Sequence, residues 1–189
     1  MPFQYCASTA NLTHARPSSL AAVGKSVETD GVTPEPANHQ YDSHDFLEAL
    51  AAGSLPAVAF VKAAAFQDGH AGYCNPVDEQ NFIVGVISAI QSSQEWVSTA
   101  VVLAYDDSDG WYDHQAPPIV YPSNGVADAL NGPGLCNMGL QQTGPAPTTL
   151  TDQSSILKFI EDNWLGGERI QTGGSSDTIA GTIENMMIF

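Results

Sequence analysis

Apolar positions along the chain fall into two patterns, helical stripes and short continuous runs. Phe46, Leu47 and Leu50 share one helical face behind an N-cap at Asp42 or Ser43, and Gly53 stands just past the end. Pro76 opens a longer helix, to about residue 93, with Phe82, Ile83, Val86, Ile87 and Ile90 on one stripe. Asp78 and Glu79 lie in its first turn, where the helix dipole favours acids, and read as helix-terminus electrostatics. A third helix starts at Thr151 or Asp152, buries Ile156, Leu157, Phe159, Ile160 and Trp164, and stops at Gly166 and Gly167. Asp177 is expected to open a last short helix burying Ile179, Ile183 and Met186.

The continuous runs are residues 56–65 and 101–104, too short for helices and bounded by turn residues, and they predict strands, the second one buried. With the Pro76 helix between them, the order strand, helix, strand predicts a right-handed parallel crossover. Both strand ends then face one edge, the first leading to His70 and the second to Asp106 and Asp107. Residues 1–40 show no sustained period and read as loop with one short helix, and loop signals return after Tyr121. The fold class expected from this is α/β.

Composition frames the chain as one domain. Its 189 residues, 43% hydrophobic, suffice for a substantial core. Five Lys and Arg against 21 Asp and Glu give a formal charge of -16, which repels nucleic acid and anionic membrane surfaces. An anionic substrate would then need a strong local positive centre, such as a divalent metal. Cys6, Cys74 and Cys136 form neither a disulfide scaffold nor a metal spacing, although one pair could bridge in an exported protein. Asn11-Leu12-Thr13 is a glycosylation sequon. No signal peptide and no apolar stretch of membrane-spanning length is present in the sequence.

The chemistry concentrates in residues 101–118, where the apolar run ends in Asp106 and Asp107, turns at Ser108, Asp109 and Gly110, continues through Trp111, Tyr112, Asp113 and His114, and stops at Pro117 and Pro118. An acid-rich turn after a strand is either a solvated loop or, at the carboxyl edge of an open sheet, a place for a metal ion. An EF-hand loop does not fit, because Tyr105 and Ala116 fall where oxygen ligands belong. No phosphate-cradling Gly-Lys-Ser/Thr loop, Gly-x-Ser-x-Gly elbow or His-Glu-x-x-His helix occurs. His39 and His44, five apart, point roughly 140° apart on a helix and read as surface or capping residues. Ser154 and Ser155 fit a simple helix start better than a nucleophile. From spacing alone His70 is a loop histidine.

The run Tyr105-Asp106-Asp107-Ser108-Asp109-Gly110-Trp111-Tyr112-Asp113-His114 follows Gln67-Asp68-Gly69-His70 and precedes Thr151-Asp152-Gln153-Ser154-Ser155 and Phe159-Ile160-Glu161-Asp162-Asn163-Trp164. Together these resemble the C-terminal part of the phosphoesterase family of bacterial and fungal phospholipases C and acid phosphatases. The resemblance implies an alkaline-phosphatase-like fold, a three-layer α/β/α sandwich with a mostly parallel sheet, of which residues 1–189 would be a single incomplete domain. It implies hydrolysis of a phosphate ester or phospholipid at one divalent ion, Ca, Mg or Mn. Asp106 and Asp107 would be metal ligands and His70 a catalytic phosphate contact. Asp113 and His114 belong to the same motif, either as substrate contacts or as braces of the loop.

Three family features are absent from the sequence: the His-His pair before Pro2-Phe3-Gln4-Tyr5, the nucleophilic Ser or Thr with the acid and Asn of the N-terminal half, and an apolar strand within residues 137–148. The expectation is therefore a truncated relative of a secreted phosphoesterase with little or no turnover alone. The alternative is a non-catalytic remnant that binds metal or a partner.

Overall fold

The computed structural model describes residues 7–108, 110–114, 151–170 and 176–187. The chain divides into two compact units, Met1–Leu103 with Asp109–Trp111, and Ala104–Ser108 with Tyr112–Phe189.

In the first unit, residues 7–40 are loop held by buried polar side chains. Asn11, 3% exposed, accepts from Ala15 N–H at 2.9 Å and donates to the carbonyls of Ala15 and Gln40 at 2.8 and 2.9 Å. Both amide hydrogens are thus engaged, so the sequon at Asn11 offers no accessible nitrogen for a glycan in the folded chain. Buried Glu35 accepts from the Ser18 N–H and hydroxyl at 2.9 and 2.6 Å. A 3-10 turn, Leu20–Ala22, is the short helix expected in this region. Val27 and Pro34 form an isolated antiparallel bridge across a turn closed by Asp30, which accepts from Val32 N–H and Thr33 N–H, both at 2.9 Å.

Helix α1 (Ser43–Ala51) starts where expected, with Asp42 at the N-cap, and Asp42 N–H donates back to Asp45 Oδ2 at 3.1 Å. Ala49 and Leu50 are buried but Leu47 is exposed. Gly53 follows with φ +65, the left-handed conformation that ends helices at low cost in glycine. Arg16 binds the helix through Asp45 Oδ1 at 3.0 Å and through Glu48. Helix α2 (Pro76–Gln91) has Asn75 as its cap, accepting from Val77 N–H and Asp78 N–H at 2.9 and 3.1 Å. Its apolar stripe is half-buried, with only Ile90 fully covered.

Among the described residues the structure contains no β-strand. Residues 56–65 and 101–104 form no ladder, and Val101, Val102 and Leu103, expected to be buried, are 44%, 48% and 57% exposed. A strand becomes a strand only when neighbours take up its backbone groups and cover its faces, and the described residues supply no flanking strands to either run.

In the second unit, α3 (Gln153–Trp164) is capped by Asp152, which accepts from Ser154 N–H at 2.8 Å, while Asp152 N–H donates to Ser155 Oγ at 3.1 Å. The expected apolar face is only half-buried and Trp164 is 50% exposed; the fully buried α3 side chains are Ser155 and Glu161. Where a helix was expected from Asp177, residues 176–179 make a single turn and a 3-10 turn follows at Glu184–Met186. Ile183 is buried as expected, whereas Ile179 and Met186 are exposed. The Asp177 carboxylate accepts Ile170 N–H at 2.8 Å, which ties it to the chain after α3. This segment is held to α3 by Lys158 Nζ, which donates to the Ala180 carbonyl at 2.9 Å.

Cys6, Asp109, Pro117, Pro118, Cys136 and the region of the missing strand, residues 137–148, lie outside the described residues.

Candidate active site

His70 sits in a tight turn whose polar groups are internally satisfied. Asp68 Oδ1 accepts from His70 N–H at 3.1 Å, Cys74 N–H donates to His70 O at 3.1 Å, and Gly69 N–H donates to the Cys74 sulfur at 3.3 Å. Gly69 has φ +85, a conformation that favours glycine, and a Cβ there would lie 2.5 Å from Glu79 Oε2, so the Glu79 side chain would have to shift. The Gly69 carbonyl accepts the indole N–H of Trp111 at 2.7 Å.

The imidazole is fixed on three sides. Its Nδ1 lies 2.7 Å from the Ala71 carbonyl. A carbonyl only accepts, so Nδ1 carries the hydrogen, and Nε2 is the nitrogen that gains and loses a proton. The Tyr73 ring stacks on the imidazole with centroids 4.6 Å apart and planes 10° from parallel. Gly110 approaches so closely that a Cβ there would stand 3.1 Å from His70 Cε1. The motif residues Gly110 and Trp111 therefore pack on the turn that carries His70, which spacing alone did not reveal.

In the second unit, Asp106 and Asp107 lie exposed in a bend. Gln153 Nε2 donates to the carbonyls of Tyr105 and Asp106 at 2.8 and 3.0 Å, tying the start of α3 to that bend. Asp113 and His114 are exposed as well. As a donor set, two adjacent exposed carboxylates suit a hard cation such as Ca, Mg or Mn, which fits the ion the resemblance implies.

Among the described residues a different group brings three ligand atoms within 4.8 Å of one another: Asp42, His44 and Asp45 at the start of α1. Its signal in the sequence is a carboxylate two residues before His44 and another directly after it. A guanidinium and an imidazole already contact its carboxylates. Arg16 Nε is 3.0 Å from Asp45 Oδ1 and His14 Nδ1 is 3.1 Å from Asp42 Oδ1, so a divalent ion would have to displace a guanidinium beside a helix N-terminus. His39 contacts Ser26 Oγ at 3.1 Å and His44 lies 3.4 Å from Asp45; both are exposed, the surface alternative of the surface or capping reading, and the cap is Asp42. Ser155 is fully buried, its hydroxyl engaged in the cap, and is no exposed nucleophile.

The sequence profile of the Phosphoesterase family matches residues 24–165, and the chain belongs to that family. It is 35% identical over 82 residues to a non-hemolytic phospholipase C of Pseudomonas aeruginosa, a match covering 43% of this chain and 12% of that protein. It is 30% identical over 104 residues to non-specific phospholipase C6 of Arabidopsis thaliana, covering 51% and 20%. Non-specific phospholipase C3 of the same plant matches at 31% over 68 residues, covering 36% and 13%. The matched stretches thus span at most a fifth of these relatives.

Proposed function

We propose that this chain is the His70 and acidic-loop portion of a phosphate-ester hydrolase of the phospholipase C and acid phosphatase type. It would work with one divalent cation within an alkaline-phosphatase-like α/β/α fold. The observation that carries this reading is the fixation of His70 by Ala71, Tyr73 and two residues of the acid-rich motif, Gly110 and Trp111. Such restraint is expected of a group that must meet one oxygen in one orientation.

Asp106 and Asp107 would hold the cation, with His114 as a further substrate contact. When bound, the cation supplies positive charge that draws electron density from a phosphoryl oxygen and offsets the chain's negative field. His70 Nε2, when protonated, donates to a phosphoryl oxygen or passes its proton to the departing oxygen of the ester, leaving a neutral imidazole whose Nδ1–H stays on the Ala71 carbonyl. A monoester and a phospholipid both offer a phosphoryl oxygen to these residues. Secretion is part of the proposal through family resemblance only, since Asn11 gives it no support. Among the described residues no helix is long and apolar enough to cross a membrane.

A second reading, cation and phosphate binding with little or no turnover, is favoured by Ser155, the serine best placed by sequence at a helix start, being buried in its cap. The test is divalent-dependent hydrolysis of a chromogenic phosphomonoester and a phosphocholine ester by the purified chain, beside an Asp106→Ala/Asp107→Ala control. Turnover abolished in the control supports the hydrolase. Phosphate binding without turnover supports the second reading, and neither binding nor turnover from folded protein refutes both.

A further inference from the structure

We propose that Tyr73 is the positioning residue for His70, holding the imidazole so that Nε2 alone can meet a phosphoryl oxygen. This rests on the reading of His70 as the phosphate contact. The Nδ1 bond runs from His70 to the carbonyl of the very next residue, 2.7 Å away. Such a bond closes only a small ring, and a half-buried imidazole free to rotate about its side-chain torsions would meet that carbonyl only part of the time. Two contacts restrict the freedom. Tyr73 lies nearly parallel to the imidazole with centroids 4.6 Å apart, and Gly110 approaches so that a Cβ there would lie 3.1 Å from Cε1 and 3.5 Å from Nε2.

The tautomer matters because the two nitrogens have different tasks. With Nδ1–H always spent on Ala71, every proton exchanged with a substrate passes through Nε2, and the lone pair of the neutral ring is directed there too. If the ring turned over about Cβ–Cγ, Cδ2 would replace Nδ1 at the Ala71 carbonyl, that hydrogen bond would be lost, and Nε2 would move to the place of Cε1. Those molecules would present a nitrogen displaced from the productive position, and displacements of that order weigh heavily on proton transfer. Tyr73 is 57% exposed, so its replacement leaves the core intact.

The test uses the full chain with ring-15N histidine, observed at a pH where the imidazoles are neutral, with His70→Asn assigning the His70 signals. The wild type and Tyr73→Phe are expected to show His70 with hydrogen on Nδ1. Tyr73→Leu should change the ratio of the two tautomers by about two- to tenfold, the factor equivalent to an aromatic stacking contact. Tyr73→Leu with an unchanged tautomer pattern, or Tyr73→Phe behaving like Tyr73→Leu, would overturn the proposal. Adding inorganic phosphate with calcium separates the two claims. A wild-type Nε2 signal that fails to move refutes His70 as the phosphate contact, and the tautomer comparison still decides Tyr73.

Discussion

Replacing Gly110 by alanine probes the contact between the acid-rich motif and His70 without touching either carboxylate. Two costs can be separated. Gly110 has φ +75, and placing an L-residue there costs about 1–2 kcal/mol. The restricted unfolded chain returns about 0.4–1 kcal/mol of this. The second cost is steric: the new methyl would lie 3.1 Å from His70 Cε1 and 3.5 Å from Nε2, so the imidazole must give way by a few tenths of an ångström. Overpacking costs about 1–3 kcal/mol in cores, and a half-buried ring held by Tyr73 and Ala71 belongs at the lower end, about 1 kcal/mol. Gly31 is the matched control, with φ +76 and nothing within 4 Å of its Cβ position. Urea unfolding should therefore place Gly110→Ala about 1 kcal/mol below Gly31→Ala, with the His70 ring signals moving only in the former. Equal losses at the two positions, with His70 unmoved, would show that the motif does not press on the imidazole.

Other perturbations have defined directions. Trp111→Phe removes the donor to the buried Gly69 carbonyl and should cost about 1 kcal/mol in urea unfolding, with the Gly69–Cys74 amides exchanging faster. Asp45→Ala removes the reverse half of the α1 cap and the Arg16 pair, and a loss of about 1–3 kcal/mol is expected, discounted because Arg16 is half-exposed. Glu161 has its pKa raised, first by burial and then by neighbouring Asp177 and Asp162, against the opposing charge of Arg169. The folded chain therefore holds the Glu161 proton more tightly than the unfolded chain does. Its contribution is complete below the ordinary glutamate range and is lost as pH rises through the raised value. Packing of residues 176–187 on α3 should be firmest in acid, and Glu161→Gln should flatten the pH dependence of the urea midpoint. An unchanged slope would refute this account.

Helix ends were the most legible features because they are set by local chemistry. Asp42 as N-cap, Pro76 as first helical residue, Asp152 as cap and Gly53 as terminator each satisfy backbone groups within a few residues. The runs at 56–65 and 101–104 carry strand propensity, yet pairing depends on partners distant in sequence, which a local pattern does not supply. The buried polar residues were invisible for the same reason. The sequon at Asn11 gives no sign of its bond to Gln40, 29 residues away, and nothing local to Glu161 signals its burial beside Asp177. At the site, Asp106 and Asp107 stand out by residue type and His70 only through the family resemblance, while the Ala71, Tyr73 and Gly110 contacts that restrain His70 have no signature in composition or spacing.

The amide of Gln153 acts as a staple across a long stretch of chain. Its one nitrogen bonds the carbonyls of Tyr105 and Asp106, positions 48 and 47 residues earlier, so the ends of the intervening segment are fixed to each other whatever lies between them. Loop-closure entropy grows only logarithmically, and doubling such a segment costs about 0.6 kcal/mol. A change in the number of residues between the two anchors therefore adds little to the entropy of closing them, and the bond from Gln153 holds the start of α3 at the acidic bend whatever that number is.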